Sequence, residues 1–168
     1  MSLDEMQKKF VDYLLLLAKR EDRGALADLR SGLGMEPASM YRVHRHVVPY
    51  RYRKTCDDRW YYLVATLFGL FPEHRKGYSF GSAFQLLKAK SDSMEARFVA
   101  LLNAHPDDLD GHLRHAVSLL KSYDQPLDWY RLFSDLLQWE SLDGKVQLGW
   151  ARDFYSNDTE YKEENVYE

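Results

Sequence analysis

Apolar residues recur three and four positions apart along almost the whole of this 168-residue chain, and that spacing limits the fold more than any other feature. Leu3, Met6, Phe10, Tyr13, Leu14 and Leu17 form one stripe of a first helix that ends near Lys19 or Arg20. Residues 25–33 read as a short second helix with Ala25, Leu26 and Leu29 inward, stopped by Gly32 and Gly34. Residues 35–39 then form a loop, with Ser39 placed to cap the next helix. Asp57 and Asp58 open a stretch apolar on every side, Trp60, Tyr61, Leu63, Val64, Leu67, Phe68, Leu70 and Phe71, which makes it the central helix of the N-terminal half. Pro72 and Gly77 mark its exit, and Ser79 caps a helix running through Lys90 with Phe80, Ala83, Phe84 and Leu87 on one face.

Four more helices come after it. The first starts at Ser93, with Met94, Phe98, Leu101 and Leu102 inward. The second opens at Pro106-Asp107-Asp108 and carries Leu109, Leu113, Val117 and Leu120. The third opens at Pro126 and Asp128 and carries Trp129, Leu132, Phe133, Leu136, Leu137 and Trp139. The last begins at Gly144 and carries Val146, Leu148, Trp150 and Phe154. No segment sustains the alternation of a strand, and Tyr50-Arg51-Tyr52-Arg53 is the one place where a strand is worth considering. The expected fold is all-α, with eight or nine helices in two small bundles.

A hydrophobic share of 45% supplies enough apolar surface for a packed core in a chain of this length. The polar Ser91-Asp92-Ser93 is the best boundary, dividing an N-terminal bundle (1–90) from a C-terminal one (91–157) and leaving an acidic, tyrosine-spotted tail (158–168). The charge sign switches at that boundary. Residues 42–90 carry ten Lys and Arg against three Asp and Glu, a net of +7, whereas residues 91–168 carry seven against sixteen, a net of −9. The formal charge of −3 therefore conceals a basic half able to hold a polyanion, because binding depends on local potential. The strongest apolar run, around Leu14 to Ala18, is interrupted by charges and falls short of the roughly 20 residues that cross a bilayer. The first residues lack the pattern of a secretory signal, so a cytoplasmic location is expected. Cys56, beside Asp57 and Asp58, is in the wrong setting for a reactive thiolate and reads as incidental.

Residues 40–54 hold five fixed positive charges, two histidines, three tyrosines and no acid. Guanidinium groups bind phosphate through paired donors and aromatic rings accept unpaired bases, so Arg42, Arg45, Arg51, Arg53 and Lys54 suit a groove that tracks a nucleic-acid backbone. The same composition fits a solvated loop or a face that meets an acidic protein. Arg30, Arg97, Arg114, Arg131 and Arg152 form a second set on otherwise apolar helices, where Glu95, Asp128, Asp135 or Asp153 offer structural ion pairs. His112 and His115 share a helix face but lack further ligands in sequence, and His44 and His46 do not share one, so neither a metal nor another cofactor is expected. No nucleophile elbow or phosphate-cradling loop is present; Gly77-Tyr78-Ser79-Phe80-Gly81 is too aromatic and lacks the Lys-Ser/Thr ending. The paired acids Asp57/Asp58 and Asp107/Asp108 are explained by helix starts, so no enzyme is expected.

Several segments, in this order, resemble the CasB family, the small subunit of the type I-E CRISPR surveillance complex (Cascade). They are Ala27-Asp28-Leu29-Arg30, Val43-His44-Arg45-His46-Val47-Val48-Pro49-Tyr50, Ser79-Phe80-Gly81-Ser82-Ala83, Glu95-Ala96-Arg97-Phe98, His112-Leu113-Arg114-His115 and Asp128-Trp129-Tyr130-Arg131-Leu132. Trp139 and residues 147–155 resemble that family's C-terminal signature. The resemblance implies a non-catalytic helical subunit, present as two copies beside the other subunits, that contacts guide RNA and target DNA and helps hold the displaced strand of the R-loop. Arg30, Arg45, Arg97 and Arg114 match basic positions of the family; Arg42, Arg51, Arg53 and Lys54 are added from local composition. Ser31 stands where the family often has a second basic residue. The competing readings are a protein-binding adaptor whose basic face docks an acidic partner, and a hydrolase built from scattered His and Asp.

Overall fold

Residues 2–51 and 57–156 are described by the structure, a computed structural model. Nine α-helices occur among them: α1 Glu5–Lys19, α2 Arg23–Arg30, α3 His44–Val47, α4 Asp58–Leu70, α5 Phe80–Gln85, α6 Ser93–Leu102, α7 Leu109–Ser122, α8 Trp129–Leu137 and α9 Lys145–Tyr155. The described residues contain no strand, only an isolated bridge between His74 and Leu127. No described helix is long and apolar enough to cross a membrane. Arg53, Lys54, Cys56 and the segment 158–168 lie outside the described residues.

Helix starts obey their capping chemistry. Asp4 and Gln7 close a reciprocal capping box on α1, at 2.8 and 2.9 Å, and Asp22, Ser79 and Asp128 accept backbone N–H groups at the starts of α2, α5 and α8. Three expectations need correction. Ser39 does not cap α3: it ends a 3-10 turn over Pro37–Ser39, and the carbonyl of Met40 receives the N–H groups of Val43 and His44 instead. The helix expected through Lys90 stops at Gln85, where i−3 bonds at Leu87 and Lys90 tighten the chain and Leu87 is buried. Leu148 is 56% exposed, off the face that buries Val146, Trp150 and Phe154. Of the strand considered at Tyr50-Arg51-Tyr52-Arg53, the described part is the end of a 3-10 turn, Val48–Tyr50, and one extended residue, Arg51; Tyr52 and Arg53 lie outside the described residues.

The core is organised around α4. Residues 60–69 are buried without interruption, so this helix must be covered on every side, and α2, α3, α7 and α8 all pack on it. Gly69 permits the close crossing with α2, since a Cβ there would lie 2.7 Å from Leu29 Cβ and 2.8 Å from the Arg30 nitrogen. Aromatic side chains join segments distant in sequence. Phe10, Tyr61 and Phe133 meet pairwise at 4.8–5.3 Å, Phe68 meets Trp129 at 5.3 Å, and Phe80 stacks on Trp150 at 4.6 Å. The buried carboxylate of Asp128 holds a second junction: one oxygen caps α8 through Tyr130 and Arg131, while the other accepts the Gly77 N–H at 2.9 Å.

The short α3 is docked by its two histidines, which face opposite ways. His44 Nδ1 pairs with the Tyr62 hydroxyl of α4 at 2.8 Å. His46, 4% exposed, pairs through Nδ1 with the Tyr13 hydroxyl at 2.6 Å and through Nε2 with Asp28 Oδ2 at 3.1 Å. Arg45 also bonds Asp28, from the solvent side. Burial pushes the Asp28 carboxyl up, but the hydrogen bonds and positive charge of His46 and Arg45 outweigh it and hold the carboxyl below its ordinary 3.8.

A Cβ at Gly81 would collide with the Trp150 carbonyl oxygen and come within 3.0 Å of Asp153 Cβ, so Gly81→Ala is expected to destabilise by about 1–3 kcal/mol, read as a lowered Tm. Asp28 titrates lower folded than unfolded, so its stabilisation is complete above the unfolded pKa and is lost as pH falls through the folded one. Asp28→Asn is expected to cost about 1–3 kcal/mol at neutral pH. Its Tm profile is also expected to be flatter than that of the unmodified chain as pH falls from about 5 to below 3.8. Parallel profiles would show that the carboxylate adds nothing.

Candidate nucleic-acid interface

With both histidines turned inward and Val43 and Val47 buried, the side chains of α3 and the turn before it left facing solvent are Tyr41, Arg42 and Arg45. Tyr41 is 80% exposed, with its ring edge-on to His44 at 6.3 Å, and Arg42 is exposed. Tyr50 is not an open platform: it stacks on Tyr13 at 5.1 Å and touches Phe10 at 6.0 Å. Of the two described tyrosines in the basic segment, Tyr41 is the exposed one; Tyr52 is outside the described residues.

The candidate arginines fall into two electrostatic groups. Arg45 and Arg51 share their charge with carboxylates. Arg45 is 70% exposed at the side chain and paired with Asp28, whereas Arg51 is 27% exposed and lies 2.5 Å from Asp58. Arg30, Arg42, Arg97 and Arg114 have no carboxylate within 4 Å among the described residues. Arg30 makes a long 3.5 Å bond to the Gly69 carbonyl, and Arg97 a 3.4 Å bond to Ser93 of its own helix. Arg114 packs its guanidinium against Gly34, where φ is +77° and a Cβ would lie 2.6 Å from Nη1.

Three of these four border one segment. Arg30 ends α2, and the chain then passes Gly32, whose Cα approaches Met40, Val43 and Thr66 so closely that a Cβ would meet all three within 2.9 Å. That contact brings the 40–43 stretch, with Tyr41 and Arg42, against the start of the 31–36 loop, and Gly34 in the same loop receives Arg114 from α7. Arg97 is elsewhere, on α6, at the rim of a cleft shared with His112 and His115.

Arg59 has a role that the sequence did not reveal. It reaches from α4 to Asp110 at 2.7 and 3.2 Å, bonds the Pro106 carbonyl, and lies 4.6 Å over the Trp60 ring. Its partner is 51 residues away, so only charge type in the sequence hints at the pair. Of the ion pairs considered for the second arginine set, Arg131 with Asp153 forms at 3.9 Å, and Glu95 accepts instead from the Tyr155 hydroxyl at 2.8 Å. No group of three metal-ligating side chains occurs among the described residues.

Comparison with known proteins agrees with this architecture. Residues 25–155 match the family model described as CRISPR-associated protein Cse2. A CRISPR-associated protein Cse2 from Thermus thermophilus is 33% identical over 153 residues, covering 88% of this chain and 89% of its own length. A crystal structure of a Cse2-family protein from Thermus thermophilus superposes with a TM-score of 0.81 at 32% identity, covering 92% of this chain and 99% of that one. A chain of a structure described as a CRISPR RNA-guided surveillance complex superposes with a TM-score of 0.76 at 28% identity, covering 90% and 92%. Matching the family model over residues 25–155 and the relatives over most of its length, this chain belongs to the Cse2, or CasB, family of CRISPR-associated proteins.

Proposed function

We propose that this protein is a non-catalytic subunit of a CRISPR RNA-guided surveillance complex that holds nucleic-acid backbone, steadying guide RNA and target DNA and the displaced strand of the R-loop. One observation carries the reading: Arg30, Arg42 and Arg114 border a single segment, and among the described residues none has a carboxylate partner within 4 Å. A cation not already neutralised by a neighbouring acid releases the most counterion when it meets phosphate. Exposed Tyr41 beside Arg42 adds a stacking surface for an unpaired base. Strand exchange in an R-loop is close to balanced, so a few such contacts are enough to tip it.

Arg45 and Arg51 act as weaker contacts, because phosphate must compete with Asp28 and Asp58 for them. Arg97 belongs to the same function from a separate place on the surface. The non-catalytic part is supported by how the polar groups are used. His44 and His46 are committed to Tyr62, Tyr13 and Asp28, and Asp57 and Asp108 stand at helix starts. Contacts to neighbouring subunits and to a second copy are assigned to the C-terminal half, where Leu142 is fully exposed and Leu148 is largely so.

The test is binding of single-stranded DNA as a function of salt. The unmodified chain is expected to bind without sequence preference, with affinity falling steeply as salt rises. Arg42→Ala with Arg114→Ala is expected to reduce the salt slope by about 1.4, at ~0.7 per phosphate contact on a single strand. Arg51→Ala is expected to change the slope by less than either. An adaptor for acidic proteins would show no retention of single-stranded DNA even at low salt, and that result would sink the reading.

A further inference from the structure

His112 and His115 are the pair for which the sequence offered no function, and the structure gives them a setting. They line one side of a cleft of about 230 Å³ between α5, α6 and α7, and Arg97 lines it from α6. The floor is apolar: Phe84, Ala116 and Leu119. Phe84 is buried and stacked between Phe80 at 5.9 Å and Phe98 at 5.7 Å, and Phe98 rests on Phe154 at 4.1 Å, so the floor is backed by a ladder of packed rings. No acid lines the cleft, although six of its seven lining residues come from residues 91–168, whose net charge is −9. Among the described residues neither imidazole has a hydrogen-bond or ion-pair partner, and the Arg97 guanidinium has only its 3.4 Å bond to Ser93.

A divalent metal does not suit this arrangement. Two imidazoles need at least one further ligand, and a fixed guanidinium charge in the same cleft repels a dication. The lining calls instead for an anion that carries a flat apolar body. Each residue of an unpaired nucleic-acid strand has that form, with a phosphate for the three nitrogen-bearing side chains and a base for the apolar floor.

We propose that this cleft seats one nucleotide of an unpaired strand, its base against the apolar floor and its phosphate on Arg97, His112 and His115. The proposal rests on the nucleic-acid reading above and adds to Tyr41 a second base-dependent contact. The test compares two labelled strands of equal charge bound to the full chain, an oligothymidylate of about 12 nucleotides and its abasic counterpart. The thymidylate is expected to bind about tenfold more tightly. Ala100→Trp, at an exposed position on the rim, fills the cleft and is expected to remove most of the preference for thymidylate over the abasic strand while circular dichroism and Tm stay unchanged. Should that variant misfold, His115→Ala, also exposed, is expected to weaken thymidylate binding about threefold.

Equal affinity for the two strands, or undiminished discrimination in Ala100→Trp, overturns the cleft assignment and leaves backbone binding standing. Equal affinity together with displacement of both strands by oligoglutamate would mark the cleft as an acidic-peptide site, which also overturns it. Failure of the unmodified chain to bind either strand overturns this proposal and the function proposed above together.

Discussion

The need to bury α4 on every side shapes the rest of the molecule. Its ten consecutive buried residues, 60–69, leave no face for solvent, and a helix of that kind is stable only when other helices enclose it. The short α2 cannot do this alone. Enclosure requires α7 and α8, drawn from the other end of the chain, and brings Tyr61 onto Phe133 and Phe68 onto Trp129. Those contacts set the positions of the loops from which the candidate interface is assembled. Arg114 reaches Gly34 because α7 lies against α4, which α2 also crosses.

The basic segment illustrates how one run of residues divides its labour once it folds. Its arginines and histidines look alike as a charge cluster, yet the histidines are spent on anchoring. His44 and His46 turn toward α4 and toward α1 and α2, and this leaves Tyr41 and Arg42 outward in the turn before a helix too short to hold itself. Asp28 binds His46 and Arg45 at once, so the group that docks the segment also tempers one of its charges. Local electrostatics of this kind decides which cations are available to phosphate, and neither the total charge of −3 nor the +7 of residues 42–90 expresses it.

Much of the fold was legible in the chain because helical spacing, capping residues and glycine stops are local signals. The periodic stripes of α1, α4, α7 and α8 and the caps at Ser79 and Asp128 are read correctly from neighbours within a few residues. The misses have two causes. Ser39 has the chemistry of a cap and residues 86–90 the pattern of a helix, but both were overruled by their surroundings, whereas Leu148, two residues from Val146 and from Trp150, lies off their helix face by local geometry. The candidate site was legible as a region and not as an arrangement. Charge type and aromatic content located residues 40–54, whereas the pairing of Arg51 with Asp58 and of Arg45 with Asp28 depended on how helices meet.

By itself, then, the sequence determined an all-helical chain, the identity of its central helix, the family it resembles and the place where positive charge concentrates. Each of these is carried by residue spacing, by composition or by short ordered motifs. Tertiary structure alone decided which arginines pair with a carboxylate, that Arg30, Arg42 and Arg114 border one segment, and that Arg97 shares a cleft with His112 and His115. The physical reason is range. A cap or a stripe is fixed by neighbours within a turn or two of helix, but an ion pair or a cleft is fixed by side chains that only the enclosure of α4 brings together.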